Sequence, residues 1–464
     1  MPRNSPKRSS PTRKPKVEPD RDVAHMREAL ELARKGVGTT SPNPAVGALL
    51  VRSGRVLGRG WHRRAGEPHA EVEAFESARK SRRRPKGATL YVTLEPCSTQ
   101  GRTPPCTDAI IRADVACVVV GGVDPNPRHA GRGLDLLRAA GIEVRSGVLE
   151  KECTDLNRAF NHWMLRGTPW TLLKAAMTLD GKIATAEGES KWITGLEARD
   201  RAMAWRQAAD AILVGVNTVL ADDPSLTVRM PAKEGGEETD PEAPRQPWRI
   251  VLDSHARTPV KAKVLQDTHA RRTIIAVTKS APEERVAALA RKVAVWEVSS
   301  RDGRVDLGEL MRRLGEEEVT HLMVEGGGEV MASFLEQGLA HEVCFFYASK
   351  ILGGHGSRRV VGGEGAGSLS ETTRLKEVQW SQVGEDLLMQ ARVEPGKPKA
   401  PSPKPAVAKP SAAREPGRRP TPKHAPSAPE TKSKKRFPKN SNRGRRPGPS
   451  RPSRPVWKKP KPLV

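Results

Sequence analysis

The chain has 464 residues, room for two domains of ordinary size, and a formal net charge of +26 with a pI near 10.2. Such a charge points first to nucleic acid, but residues 395–464 hold 21 Lys and Arg against 2 Asp and Glu, and residues 1–20 hold 6 against 2. The part between keeps only about +3, five scattered cysteines exclude a disulfide framework, and no run of about 20 apolar residues exists to span a membrane.

Residues 1–20 read as a disordered basic arm without the apolar core of a secretory signal, so a reducing cytoplasm is the expected compartment. Val23, Met26, Leu30 and Ala33 then recur at helical spacing over 21–36. Two strand-like runs, 46–51 and 55–61, flank a Ser53-Gly54 hairpin turn. A helix starts near His69, a strand covers 89–94, a helix 106–113, a buried strand 115–120, a helix 133–140 and a strand 142–145. A hairpin followed by alternating helices and strands predicts a three-layer α/β domain. From Gly167 a second α/β unit is expected. Its strands are 170–175, 211–216, 250–252, 273–277, 293–298 and 321–324, with late antiparallel-looking strands 343–348 and 387–393. Its helices are 197–207, 283–292, 307–314 and 329–337, and residues 231–246 read as a mobile surface loop. Residues 395–464 hold 18 of the 40 prolines and no apolar period, so a disordered tail is predicted. Its expected behaviour is non-specific adhesion to polyanions; Phe437 and Trp457 offer little stacking for a dedicated RNA-binding role.

The densest chemistry is Pro68-His-Ala-Glu71, Pro96-Cys97 and Cys106. His69, Cys97 and Cys106 can supply three protein ligands to Zn²⁺ with a fourth position open to water, the pattern of a catalytic site. Glu71, two residues beyond the His, can move protons without ligating, as in the H-x-E…P-C…C signature of nucleobase deaminases. A structural zinc site would need a fourth protein ligand, and Cys117 falls in a predicted buried strand. The motif sits where strands feed helix starts, where thiolates are favoured.

The segments 41–47 (Ser-Pro-Asn-Pro-Ala-Val-Gly), 60–71, 94–106 with its nine-residue cysteine step, and Asp124-Pro-Asn-Pro127 resemble the deaminase half of the bifunctional riboflavin-biosynthesis deaminase–reductases. Tight C-x-x-C spacing would instead resemble cytidine or tRNA adenosine deaminases. The resemblance implies that Asn43, His62, Arg102 and Asp124 contact a diaminopyrimidine ribotide. By residue type, Asn43 and Asp124 are equally suited to shaping turns. Where the family often has aromatic or His residues, Thr99-Gln100 stand here.

Residues 173–184, 188–194, 215–229 and 324–329 resemble the reductase half of the same family, which is similar to dihydrofolate reductase in fold and uses NADPH. Glu325-Gly-Gly-Gly328 between a strand and a helix can admit a pyrophosphate, or can simply form a tight turn. It is no dinucleotide fingerprint of the G-x-G-x-x-G type. Trp192 can stack or lie in a core, and Arg206 can meet a sugar phosphate or lie on a solvated helix face. The resemblance implies that Ala176, Trp192, Thr218, Asp222, Ser254 and the segment Gly327, Gly328, Glu329, Val330, Met331, Ala332, Ser333 bind NADPH. It implies that Ser190, Arg206, Leu226, Arg229 and Glu325 bind substrate, with Lys174 and Glu325 polarising or protonating the reacting centre.

The expected organisation is a cytidine-deaminase-like three-layer α/β/α domain at 21–166 and a dihydrofolate-reductase-like α/β domain at 167–394, between basic tails. The expected function is zinc-dependent deamination of 2,5-diamino-6-(ribosylamino)-4(3H)-pyrimidinone 5′-phosphate. Reduction by NADPH to the ribitylamino uracil phosphate follows, and the family implies a homo-oligomer. A nucleic-acid base deaminase with RNA-binding tails would leave residues 170–390 without a role. A catalytically dead binding protein would have no need of Glu71 and a complete ligand set.

Overall fold

The computed structural model describes residues 19–100, 104–127, 129–229 and 245–394. In the first half, α1 (Pro19–Arg34) leads into β1 (Gly47–Arg52) and β2 (Arg55–Trp61), joined by Ser53 and Gly54 at φ 51° and 76°. Two successive positive φ values make the tight turn whose twist matches a hairpin. Then come α2 (Ala70–Lys80), β3 (Thr89–Leu94), α3 (Cys106–Arg112), β4 (Cys117–Gly122), α4 (Arg132–Ala139) and β5 (Glu143–Ser146). The sheet order is β2-β1-β3-β4-β5, antiparallel through β3 and parallel beyond it.

Alternate residues of each strand serve opposite faces. Ala48, Leu50, Leu90, Val92, Val118 and Val120 pack under Ala70 and Ala74 of α2, Ile110 of α3 and Leu137 of α4. Leu49, Val51, Tyr91 and Val119 pack under Met26 and Leu30 of α1 and Cys153 of α5 (Glu150–Leu156). The three-layer expectation holds. Helix α2 lies against the backbone of β2: a Cβ at Gly58 or Gly60 would come within 2.1 Å of the Ala74 carbonyl oxygen or 2.2 Å of that of Ala70. These glycines set the helix start that carries His69 and Glu71.

Helix α6 (Arg158–Arg166) leads into the second half: β6 (Trp170–Thr178), β7 (Lys182–Ala184), α7 (Leu196–Ala208), β8 (Ala211–Gly215), α8 (Val216–Asp222), β9 (Trp248–Leu252) and β10 (Thr273–Val277). It continues through α9 (Glu283–Ala290), β11 (Ala294–Glu297), β12 (Ser300–Arg301), β13 (Arg304–Val305), α10 (Leu307–Glu316), β14 (His321–Val324) and α11 (Gly328–Glu336). The last strands are β15 (Glu342–Ala348), β16 (Arg358–Arg359), β17 (Leu375–Val383) and β18 (Asp386–Val393). Nine strands form one sheet in the order β11-β10-β9-β8-β14-β6-β15-β18-β17.

Several expectations change, among them the end of the strand expected at 211–216, which gives way at Val216 to α8. The strand near 343–348 is antiparallel only to β18; its other neighbour, β6, runs parallel to it, because α11 returns the chain to the same end of the sheet. Helices α5 and α6 fill 150–166, where no element was expected, and β17 joins the sheet edge with almost every residue exposed. Without a buried face, β17 has no alternation to read. The loop expected at 231–246 and both tails lie largely or wholly outside the described residues.

Candidate active sites

In the first half, the extended N-cap His69 of α2, the loop after β3 and the first residue of α3 converge. The ligand atoms of His69, Cys97 and Cys106 lie within 4.8 Å of one another. His69 Nδ1 is 3.2 Å from Cys106 Sγ and 3.5 Å from Cys97 Sγ, and the Cys106 amide donates to Cys97 Sγ at 3.3 Å. A hydrogen bond from the Cys106 thiol holds the Cys97 thiol below its usual range, while Cys106 is pushed up. Two thiols and one imidazole, one thiol already poised as thiolate, are a fitting donor set for Zn²⁺, and no further His, Cys, Asp or Glu joins the group among the described residues. The buried Glu71 carboxyl is raised to about 7, by burial first and the Cys97 charge second.

The expected substrate residues flank this group. His62, buried, sits ring to ring with His69 at 5.2 Å. Its Nδ1 is 3.1 Å from the Pro68 carbonyl oxygen, which leaves Nε2 to accept from Asn43 Nδ2 at 3.2 Å. Asp124 Oδ1 accepts the Asn126 amide at 2.8 Å, so it shapes a turn, and burial lifts its carboxyl above the usual range. Arg102 lies outside the described residues. Two supports went unnoticed in the sequence. Buried Glu95 accepts the amides of Asp124 (3.1 Å), Gly131 (2.9 Å) and Gly133 (2.8 Å), tying the Asp124 loop to the Cys97 loop. Its place inside Leu94-Glu-Pro-Cys97 was the only available signal. Asn157, between α5 and α6, holds Ala45 on both sides (N to Oδ1 2.8 Å, Nδ2 to O 2.9 Å), and no motif marks it.

In the second half, Arg206 near the end of α7 and Glu325 after β14 form a two-pronged ion pair, both bonds 2.6 Å, with side chains 13% and 7% exposed. Arg206 also donates to the Thr227 carbonyl at 3.1 Å, so it does not lie on a solvated face. Lys174 on β6 is lowered by burial, with the Glu325 carboxylate opposing; Glu325 itself is held down by Arg206 against its burial. Glu325 is therefore first the partner of Arg206, and its charge also bears on Lys174.

Of the other expected residues, Ser190 donates to Asp222 at 2.8 Å, joining an expected substrate residue to an expected cofactor residue. Leu226 is buried with φ 52°, and Arg229 is exposed. Trp192 is 62% exposed with Arg199 4.3 Å over its ring, so it is no core residue. Ala176 is half-buried on β6, while Ser254 Oγ accepts the Val305 amide at 3.2 Å. Gly326 and Gly327 adopt φ 150° and 83°, and Thr218 Oγ1 would be 3.4 Å from a Cβ at Gly326. Across them, a Cβ at Gly328 would come within 2.5 Å of the Arg359 carbonyl oxygen. Of the remaining segment, Met331 and Ala332 are buried and Val330 packs against the core, so contacts from there would be made by backbone. Glu329 faces Arg304 and Ser333 bonds back to the Glu329 carbonyl.

The family model of the RibD C-terminal domain matches residues 169–389, and that of the cytidine and deoxycytidylate deaminase zinc-binding region matches residues 19–122. The riboflavin biosynthesis protein RibD of Aquifex aeolicus is 44% identical over 79% of this chain and 97% of its own. That of Actinobacillus pleuropneumoniae is 42% identical over 79% and 94%. The solved structure of Acinetobacter baumannii RibD superposes with TM-score 0.71 at 35% identity, covering 81% of this chain and all of that one. A Thermotoga maritima structure titled diaminohydroxyphosphoribosylaminopyrimidine deaminase/5-amino-6-(5-phosphoribosylamino)uracil reductase gives 0.68 at 35%, covering 81% and 99%.

Proposed function

The chain belongs to the RibD family of riboflavin-biosynthesis proteins, a bifunctional deaminase and reductase, and on that premise we propose how its own residues divide the two reactions. The carrying observation is the convergence of His69, Cys97 and Cys106 beside a buried Glu71.

His69, Cys97 and Cys106 would hold Zn²⁺, which when bound makes water nucleophilic near neutral pH. Glu71 takes a proton from the attacking water and passes it to the departing amino nitrogen of 2,5-diamino-6-(ribosylamino)-4(3H)-pyrimidinone 5′-phosphate. Asn43, oriented by the acceptor nitrogen of His62, reads the base edge with Asp124, and Arg102 takes the phosphate. In the second half NADPH, when bound, supplies hydride to C1′ of the opened ribose. Lys174 donates a proton as charge develops, kept cationic by the Glu325 carboxylate, while Ser190, Leu226, Arg206 and Arg229 line the ribotide. Ala176, Trp192, Thr218, Asp222, Ser254 and the backbone of 327–333 receive NADPH. A homo-oligomer and a cytoplasmic home belong to the same reading. No described helix is long and apolar enough to cross a membrane.

The test supplies the ribotide to purified protein and follows ammonia release and NADPH oxidation separately. Both should appear in wild type. Glu71→Ala should release no ammonia from the ribotide yet still oxidise NADPH when given the deaminated ribotide, and Lys174→Met should release ammonia but oxidise no NADPH on either compound. An unchanged reduction rate in Lys174→Met would remove the role given to that lysine.

A further inference from the structure

Residues 36–43 form the turn that delivers Asn43, and they are clasped from two sides. On the first-half side, Thr39 Oγ1 donates to the Arg63 carbonyl at 2.6 Å, and a Cβ at Gly36 would meet the His62 carbonyl oxygen at 2.5 Å. On the other side the neighbours belong to the second half. Gly38, at φ 86°, lies so close to the end of α7 that a Cβ would come within 2.4 Å of the Gln207 carbonyl oxygen. The two halves belong to one compact unit of the chain.

The residue that organises this joint is Asp210, between α7 and β8, whose side chain is 2% exposed. Its Oδ2 accepts the Thr320 amide (2.8 Å), the Thr320 hydroxyl (2.7 Å) and the His321 amide (3.0 Å). Its Oδ1 accepts Arg245 Nη1 at 2.8 Å, and the same Nη1 donates to the Gly38 carbonyl at 3.2 Å. Since the Thr320 hydroxyl proton points to Asp210, its oxygen is left to accept Ser41 Oγ at 3.4 Å. One buried carboxylate thus fixes two second-half groups that touch the turn, at Gly38 and at Ser41. Four residues upstream on the same helix end, Arg206 holds Glu325 of the reducing site.

We propose that the reductase half positions the substrate turn of the deaminase site, with Asp210 as the positioning residue acting through Arg245 and Thr320. It rests on the reading of 41–47 as the turn that presents Asn43 to the ribotide. Asp210 touches neither substrate nor zinc ligands, so its loss loosens binding geometry without touching the chemistry.

The test measures deamination in the full chain for Arg245→Met, Asp210→Asn, Thr320→Val and Thr320→Ser, with Asn43→Ala alongside. Arg245→Met, Asp210→Asn and Thr320→Val should each raise the ribotide KM for deamination on the order of tenfold, the factor carried by about 1.4 kcal/mol. Their deaminase kcat and zinc content should stay within about twofold of wild type by the same reckoning, and Thr320→Ser should retain the wild-type KM. If Asp210→Asn does not fold, Arg245→Met, at a partly exposed side chain, carries the test. A raised KM in Asn43→Ala with unchanged KM in the other three variants would overturn the positioning role. An unchanged KM in Asn43→Ala would instead overturn the reading of the turn itself. Equal loss of kcat and zinc in all variants would mark general damage and also overturn the proposal.

Discussion

Replacing Glu325 with Gln should move the pH dependence of reduction downward and weaken the second half at the same time. The carboxylate receives two charge-assisted bonds of 2.6 Å from an Arg206 that is 13% exposed. Breaking a buried pair by removing one charge costs about 3–5 kcal/mol. The Gln oxygen can still accept one guanidinium N–H, so a loss of about 2–3 kcal/mol is expected. Kinetically the sign follows from Lys174. Burial lowers it and the Glu325 charge opposes that lowering, with Arg206 adding to it. Removing the carboxylate therefore leaves burial and Arg206 unopposed, and the ammonium form is lost at lower pH. If that form donates the proton, the basic limb of kcat for NADPH oxidation shifts to lower pH. Steady-state NADPH oxidation on the deaminated ribotide across pH, with urea unfolding of both proteins, measures both effects. An unmoved or upward-shifted limb would refute the proton-donor role of Lys174, and stability within about 0.5 kcal/mol of wild type would refute the buried pair.

Other outcomes are equally specific. Glu95→Gln places an amide N–H₂ against at least one of three backbone donors, and should cost the first half about 1–3 kcal/mol and raise the deamination KM; urea unfolding and steady-state kinetics check it. Chelation should abolish ammonia release and leave reduction of supplied deaminated ribotide intact, with zinc restoring the first activity. Gly328→Ala drives a Cβ against the Arg359 carbonyl and should raise the KM for NADPH several-fold at a stability cost of about 1–3 kcal/mol, read by NADPH titration. His162 and His341, rings 4.2 Å apart, are lowered to about 4 and about 3, chiefly by burial. An imidazole depressed in the fold binds more protons unfolded, so its contribution is complete above the unfolded value of 6.5 and is lost as pH falls toward the folded values. Acidification from about pH 7 to about pH 5 should then cost about 1–2 kcal/mol per ring after allowance for partial exposure, and His341→Gln should flatten that slope in pH-dependent unfolding.

What the sequence made readable follows the physics of its signals. Val118 and Val120, buried on one face, and Val119, on the other, announce a strand without any long-range information, and His69, Cys97 and Cys106 carry their chemistry in their identities. Strand β17 was silent because no face of it is buried. Glu95 and Asn157 were silent for a different reason: a carboxylate or amide that serves backbone amides has the same composition as one that faces water, and only the folded geometry separates them. The Arg206–Glu325 pair was the subtler case. Both residues stood out as ligands for substrate, and only their 2.6 Å bonds reveal that each is first a partner of the other.

Mixing the two single-site variants tests the central claim most directly. Glu71→Ala and Lys174→Met proteins, each folded and the second zinc-loaded, would be given the ribotide and NADPH alone and together, with products separated by chromatography. The account predicts no ribitylamino uracil phosphate from either variant alone, accumulation of deaminated ribotide with Lys174→Met, and the full product from the mixture. Full product from Glu71→Ala alone, or none from a mixture of intact proteins, would contradict two consecutive steps carried by two separate sites.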